Sequence, residues 1–152
     1  MTQEQASQRY TSPDGWFAVD LPARWQVQPE EGESTTIFFD PEGTGGTLRV
    51  TALAITGPEG EPANMAAVLA ERWKEQERPE GYEGNFTDRQ GAVRYDQALE
   101  EDGIQVRQRF WELAQGNVLL VFHYTQEASK WQDSAGELET ATEIVGSLQF
   151  LR

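Results

Sequence analysis

The chain contains no cysteine and only one histidine among its 152 residues. Without thiols it can form neither a disulfide nor a zinc site with cysteine ligands. A single imidazole also excludes a metal site built from several histidines. These absences remove cysteine nucleophiles and the commonest zinc centres from the candidate functions, and the sequence predicts no metal site and no cofactor.

Basic residues are scarce as well: 12 Lys and Arg stand against 26 Asp and Glu, for a net charge of −14. Binding to nucleic acid requires a basic surface for the phosphates, so the sequence predicts no nucleic-acid partner. The acidic residues are spread in short clusters such as Glu30–Glu31 and Glu100–Asp102. Such a charge favours solubility first, and attraction of a basic partner or a divalent cation second.

Long apolar runs are missing. The longest, Val118–Phe122, has the length of a strand, whereas a membrane-spanning helix needs about 20 apolar residues. The first nine residues lack the basic and apolar segments of a signal peptide. We therefore expect a cytoplasmic protein without a membrane span, with export as the alternative if a leader has been removed. The length predicts one domain over residues 9–152 after a flexible N-terminus, residues 1–8.

Apolar residues recur with helical spacing in two segments. Met65, Leu69 and Trp73 follow one another at intervals of four residues, which predicts a helix over 63–78. A similar pattern that begins at Trp131 predicts a second helix over 131–145, which Gly136 weakens. Elsewhere, short alternating segments between turn residues predict strands, so the chain combines several strands with two helices.

Two tight turns, Asp102–Gly103 and Gly116–Asn117, predict a meander of three strands. If each loop has two residues, the register is fixed. Two cross-strand rows then lie on opposite faces of the sheet: Tyr95–Phe110–His123 and Asp96–Arg109–Tyr124. Because apolar side chains occur on both faces of this meander, both faces must be covered, and we expect the two helices to cover them.

The start of the chain carries the most specific pattern. Phe17, Val19, Leu21, Pro22 and Trp25 follow a Pro-Asp-Gly turn, and this arrangement resembles the opening of PsbP-like domains. That group includes the photosystem II extrinsic protein, a Ran-binding protein and many uncharacterised bacterial domains. The closing segment 143–150 is similar to the family's final helix and last strand.

The resemblance implies an α+β fold: a twisted antiparallel sheet of six to seven strands flanked by two α-helices, an α/β/α sandwich. It also implies a bias toward partner binding, and it transfers no catalytic residue. The leading prediction is accordingly a non-catalytic protein-binding or chaperone-like module. We expect its partner to be another protein, and the sequence leaves open whether the chain is a monomer or a homodimer.

A candidate ligand site comprises Asp96, Arg109, Tyr124 and His123. An arginine beside a carboxylate and a phenol can bind an anion or orient a carbonyl, and a histidine can act as a base. This set defines the alternative function, a small-ligand-binding protein or an enzyme. The favoured interpretation is structural, namely a cross-strand ion pair and a partly buried histidine that uses one polar nitrogen.

Three tryptophans, Trp16, Trp25 and Trp111, are candidates for a partner-binding surface. Two others, Trp73 and Trp131, fall on predicted helix faces and are expected in the core. A third possible function is weak binding of a divalent cation by Asp40 with Glu42 or by residues 100–102, although neither segment has the spacing of an EF-hand.

Overall fold

The computed structural model describes residues 7–29, 35–54, 59–60 and 63–151. In these ranges the chain forms ten strands, two α-helices and one 3₁₀ helix. In chain order they are β1 (Ser7–Thr11), β2 (Phe17–Pro22), β3 (Gln26–Pro29), β4 (Thr35–Phe39), β5 (Thr47–Ala54), α1 (Met65–Glu75), β6 (Glu83–Phe86), β7 (Gln90–Glu101), β8 (Ile104–Gln115), β9 (Val118–Glu127), the 3₁₀ helix (Ala128–Lys130), α2 (Ala135–Gly146) and β10 (Gln149–Phe150).

A seven-stranded antiparallel sheet, in the order β3-β4-β5-β9-β8-β7-β6, forms the centre of the fold. The predicted α+β class, with a sheet of six to seven strands and two helices, is confirmed. The strands β1, β2 and β10 form a separate three-stranded sheet. Alternation along the sequence identifies strands but not their partners, so the second sheet was not anticipated.

The predicted register of the meander is confirmed. Asp102 and Gly103 have φ values of 52° and 81°, the left-handed conformation that a two-residue hairpin turn requires. Tyr95 therefore pairs with Phe110, and Phe110 with His123, on one face of the large sheet. The row Asp96–Arg109–Tyr124 lies on the opposite face. We call these the α1 face and the α2 face, after the helix that packs on each.

The α2 face holds the larger core. Phe17, Val19 and Leu21 of the small sheet are almost fully buried, and they pack with Trp25 and with Ile144 of α2. These include most of the residues on which the PsbP-like resemblance rests. Most residues of that sequence pattern therefore belong to the core in which the small sheet and α2 pack on the α2 face of the large sheet.

The α1 face is covered only in part. Asn64 caps α1 by accepting a hydrogen bond from the Ala67 N–H, and the helix packs Met65, Leu69 and Trp73 against β7 and β8. A helix of eleven residues is about 16 Å long and 10 Å wide, whereas strands lie about 4.8 Å apart. One such helix cannot cover seven strands. The expectation that helices would cover both faces is therefore fulfilled for only part of this face.

Three elements have boundaries that differ from the sequence prediction. Helix α1 spans Met65–Glu75 rather than 63–78. The second helix begins at Ala135 rather than at Trp131, because the chain first forms the 3₁₀ helix and a turn. Trp131 thus lies outside the helix, half-buried, with the Arg107 guanidinium 5.0 Å from its ring centre. At the N-terminus, β1 begins at Ser7, inside the segment predicted to be flexible, while residues 1–6 lie outside the described part of the chain.

Candidate binding face

A row of directly paired residues crosses five strands on the α1 face: Ile37, Arg49, His123, Phe110 and Tyr95. The rings of Tyr95 and Phe110 stack at 5.0 Å between centroids, and those of Phe110 and His123 at 5.2 Å. Helix α1 buries the Tyr95 end, whereas Arg49 and His123 remain partly exposed. The row therefore runs from the core to the uncovered part of the face.

At the covered end the central group is Glu112, a residue that is 2% exposed. It accepts hydrogen bonds from Trp73 Nε1 at 2.7 Å and from the Tyr95 hydroxyl at 3.0 Å. Arg72 lies 3.6 Å away. Burial, followed by the charge of Glu112, raises the pKa of Tyr95. These contacts satisfy the buried charge and fix the phenol in its protonated form, so this end of the row has a structural role.

The uncovered part of the α1 face is formed by β4, β5 and β9, and we call it the open face. Its side chains are mostly half-exposed, and Leu53 is 44% exposed. One cationic group, Arg49, lies at its centre between apolar side chains and threonine hydroxyls. The residues that define the open face are Ile37, Phe39, Arg49, Leu53, Val121 and His123.

Arg49 is the unusual residue of this face. It forms no ion pair with any residue in the described ranges, and its Nε is buried without a hydrogen-bond partner. A guanidinium has five N–H donors, and a buried donor without an acceptor is costly. In a chain with more than twice as many acidic as basic residues, an unpaired arginine at this position marks a candidate site.

His123 lies directly opposite Arg49 on the neighbouring strand. Its Nδ1 is 3.1 Å from the Thr125 hydroxyl. Burial, with a smaller contribution from the positive charge of Arg49, lowers the pKa of His123 to about 4. The imidazole is therefore neutral near pH 7 and offers hydrogen bonding without charge.

The structure does not bring the four predicted ligand-site residues into one pocket. Asp96 and Arg109 form a two-point ion pair with distances of 2.7 and 3.1 Å. Tyr124 is fully buried and donates to Glu137 at 2.7 Å, while His123 lies on the other face. The surface cavities of about 190 to 460 Å³ in the described ranges lie elsewhere. Ligand binding by these four residues stays a prediction without a pocket to support it.

Of the three tryptophans proposed for partner binding, Trp25 and Trp111 are only 3% and 6% exposed. That burial leaves them little surface for a partner. Large aromatic side chains contribute most to stability when they are buried in the core. Trp16 is half-buried and lines a cavity of about 250 Å³ together with Phe17 and Ala52. It is the one of the three that keeps an accessible edge.

Among the groups suggested for a cation, Asp40 is already engaged by other residues. The Asp40 carboxylate is 2.7 Å from Arg24 and accepts the Glu42 N–H at 3.0 Å. Among the residues that the structure describes, no group of three or more potential ligands is placed to hold a metal ion. Cation binding therefore gains no geometric support.

Sequence reasoning missed Arg49. The alternation of β5 places Leu48, Val50 and Ala52 toward the core of the α2 face and Arg49 on the other face, where the sequence predicts no site. The sequence feature that could have identified Arg49 is its place on the face of β5 opposite to Leu48 and Val50, in the strand that pairs with the strand of His123. That neighbourhood depends on the β5–β9 pairing, which no local turn specifies.

The sheet order and the two helices define the class of protein, a domain with the PsbP-like fold. Over 98% of this chain, a protein from Bacteroides thetaiotaomicron has the same fold with a TM-score of 0.70 and 18% identity; the chain spans 50% of that protein's length. LpqN, involved in cell envelope biogenesis of Mycobacterium tuberculosis, matches 97% of the chain and 91% of its own length (TM-score 0.55, 13% identity). The Saccharomyces cerevisiae Ran-binding protein Mog1p matches 97% of both chains (TM-score 0.50, 8% identity). At these identities the similarity establishes the fold alone, and it confirms the PsbP-like resemblance.

By sequence, the chain belongs to the family described as Domain of unknown function (DUF3805), whose model matches residues 5–152. No curated protein matches it in sequence. Neither helix in the described ranges is long and apolar enough to cross a membrane. Membership of this family identifies the domain and assigns it no activity. The function is therefore inferred from the open face.

Proposed function

We propose that this domain binds another protein through its open face and performs no chemistry of its own. The observation that carries the proposal is the part of the central sheet that no described helix covers. Ile37 and Phe39 are partly exposed there and Leu53 is exposed, while Val121 lies at the edge of the core under α1. Exposed apolar side chains on a sheet face that no described helix covers are typical of protein-interaction sites in soluble domains.

The ionisable groups support a binding role over a catalytic one. General acid–base catalysis needs a titrating group near the working pH inside a concave site. The pKa of His123 is lowered to about 4, and the phenols of Tyr95 and Tyr124 are locked by neighbouring carboxylates. Asp96 and Arg109 neutralise each other. None of these groups is placed as a catalytic acid or base.

Mog1p lends support by analogy, because a protein of the same fold is described as Ran-binding. Function does not follow from fold, so the analogy supports protein binding in general and no particular partner. Residence in the cytoplasm stays a prediction, as does the choice between a monomer and a homodimer.

The test uses two leucines of matched exposure on different surfaces. Leu53 on the open face is 44% exposed, and Leu151, which follows β10 in the small sheet, is 42% exposed. We expect the wild type and Leu151→Lys to capture the same protein from a native lysate, and Leu53→Lys to lose it, because a lysine would place a charge in the apolar contact.

Mass spectrometry identifies the captured protein, and light scattering of the purified domain shows whether the partner is a second copy. A protein captured equally by Leu53→Lys and the wild type, with both variants folded by circular dichroism, would contradict the assignment to the open face.

A further inference from the structure

We propose that Arg49 and His123 form a carboxylate-binding site at the centre of the open face, and that the partner inserts there an acidic side chain flanked by apolar ones. The assignment of an acidic and apolar segment to the partner rests on the proposed function, protein binding through the open face. The carboxylate site itself rests on the geometry around Arg49 and on the neutral His123 beside it.

The first argument is the unused hydrogen-bonding capacity of Arg49. Its Nε is buried without an acceptor. Its terminal nitrogens make no hydrogen bond to a described residue and are not among the buried, unsatisfied atoms, so they reach the surface. An arginine fork with accessible terminal nitrogens matches the two oxygens of a carboxylate.

The second argument is the absence of a competing acid beside Arg49 in the described ranges. Glu112, on the same face, is held under α1 by Trp73 and Tyr95. The polar groups in the neighbouring rows are hydroxyls, such as Thr51, whose Oγ1 is 2.8 Å from that of Thr35. Hydroxyl groups add hydrogen-bond donors and no negative charge.

The third argument is charge balance, which selects a carboxylate over a phosphate. Because His123 is neutral near pH 7, the site offers a single positive charge. One carboxylate neutralises it, whereas a phosphate dianion would add negative charge to a chain that already carries −14. A carboxylate also fits the apolar surroundings, since Ile37 pairs directly with Arg49 and Val121 lies two residues before His123.

The single histidine provides the assay. The imidazole NMR signals of His123 are the only ones of their kind in the chain, so they report on this site without assignment. We expect acetate, added at constant ionic strength and pH 7 up to about 100 mM, to shift these signals with a saturable dependence. Such concentrations fill most of a site whose Kd is ~10 mM.

Arg49→Gln removes the guanidinium, and Arg89→Gln, at an exposed arginine outside the open face, removes the same charge elsewhere. We expect Arg49→Gln to weaken acetate binding by about tenfold or more, the effect of losing a charge-assisted hydrogen bond. Arg89→Gln should bind like the wild type. A wild type without a saturable shift, or equal binding by Arg49→Gln, overturns the site. Phosphate that binds as tightly as acetate overturns the carboxylate assignment.

A second arm tests the partner's chemistry with the capped tripeptide leucyl-glutamyl-leucine and its glutamine counterpart. We expect the glutamate peptide to bind more tightly than acetate and the glutamine peptide to bind at least tenfold more weakly. Equal binding of both peptides overturns acid recognition. If acetate binds but Leu53→Lys still captures the partner, the proposed function fails and the site stands. If Leu53→Lys loses the partner and acetate does not bind, the site alone fails.

Discussion

Replacing Glu112 with alanine should cost the domain much of its stability. The substitution removes the acceptor for two buried donors, Trp73 Nε1–H and the Tyr95 hydroxyl. Each donor left without a partner costs roughly 1–3 kcal/mol. Arg72, whose side chain is 48% exposed, regains water and adds little. The expected loss in the free energy of unfolding is therefore about 2–6 kcal/mol, out of the roughly 5–15 kcal/mol typical of a domain.

Urea unfolding followed by tryptophan fluorescence measures this loss, because Trp73 itself contacts the substituted residue. Glu71→Ala is the control: Glu71 is an exposed acid of α1, paired with Lys74 at 3.7 Å, and its removal should change stability by no more than about 0.5 kcal/mol. In a Trp73→Phe background the loss caused by Glu112→Ala should shrink, because one orphaned donor is gone. A loss below about 1 kcal/mol, or an equal loss in both backgrounds, would refute the reasoning.

Further predictions concern the histidine and two glycines. The His123 imidazole should titrate near pH 4 by NMR, and a midpoint at pH 6 or above contradicts the described burial. In the unfolded chain the imidazole of His123 takes up a proton near pH 6.5. The stabilisation due to neutral His123 is therefore complete above that pH and is lost as the pH falls toward 4. The free energy of unfolding of the wild type should fall across this range relative to that of His123→Phe, and parallel pH dependences of the two proteins would disprove this linkage. Arg49→Gln should raise the pKa of His123 by removing the nearby positive charge, and an unchanged value would show that this charge does not act. Gly46→Ala should destabilise the domain by about 1–3 kcal/mol, because the added methyl group would collide with the buried Tyr124 hydroxyl. Gly136→Ala in α2 meets open space and should be neutral or stabilising by up to about 1 kcal/mol. Equal shifts of the melting temperature in the two variants would argue against the close approach of Gly46 to Tyr124.

Local chemistry made part of the fold predictable. The Asp102–Gly103 turn fixes which residues face each other across β7 and β8, because the left-handed pair permits only a two-residue loop. The period of four in α1 likewise identified Trp73 as a core residue, and it is 4% exposed. In both cases the information lies within a few residues of the element it specifies.

The start of α2 was predicted wrongly for a reason that lies far away in the chain. Ser134, the residue before the helix, is buried and bonds through its hydroxyl to Gln126 and Thr44. Those contacts hold the segment before the helix in a turn, so helical periodicity at Trp131 does not become a helix. The glycines of the adjoining loop are explained in the same way, since a Cβ at Gly43 would collide with the Glu137 carboxylate of α2.

The sequence by itself determined the fold class, the strands of the meander and their register, because turn geometry and alternation act between near neighbours. Only the tertiary structure decided that α1 rests on β7 and β8, which buries Glu112 and leaves Arg49 and His123 on an open face. Burial and ion pairing depend on which distant segments meet, and residue order alone does not encode where an eleven-residue helix will lie on a seven-stranded sheet.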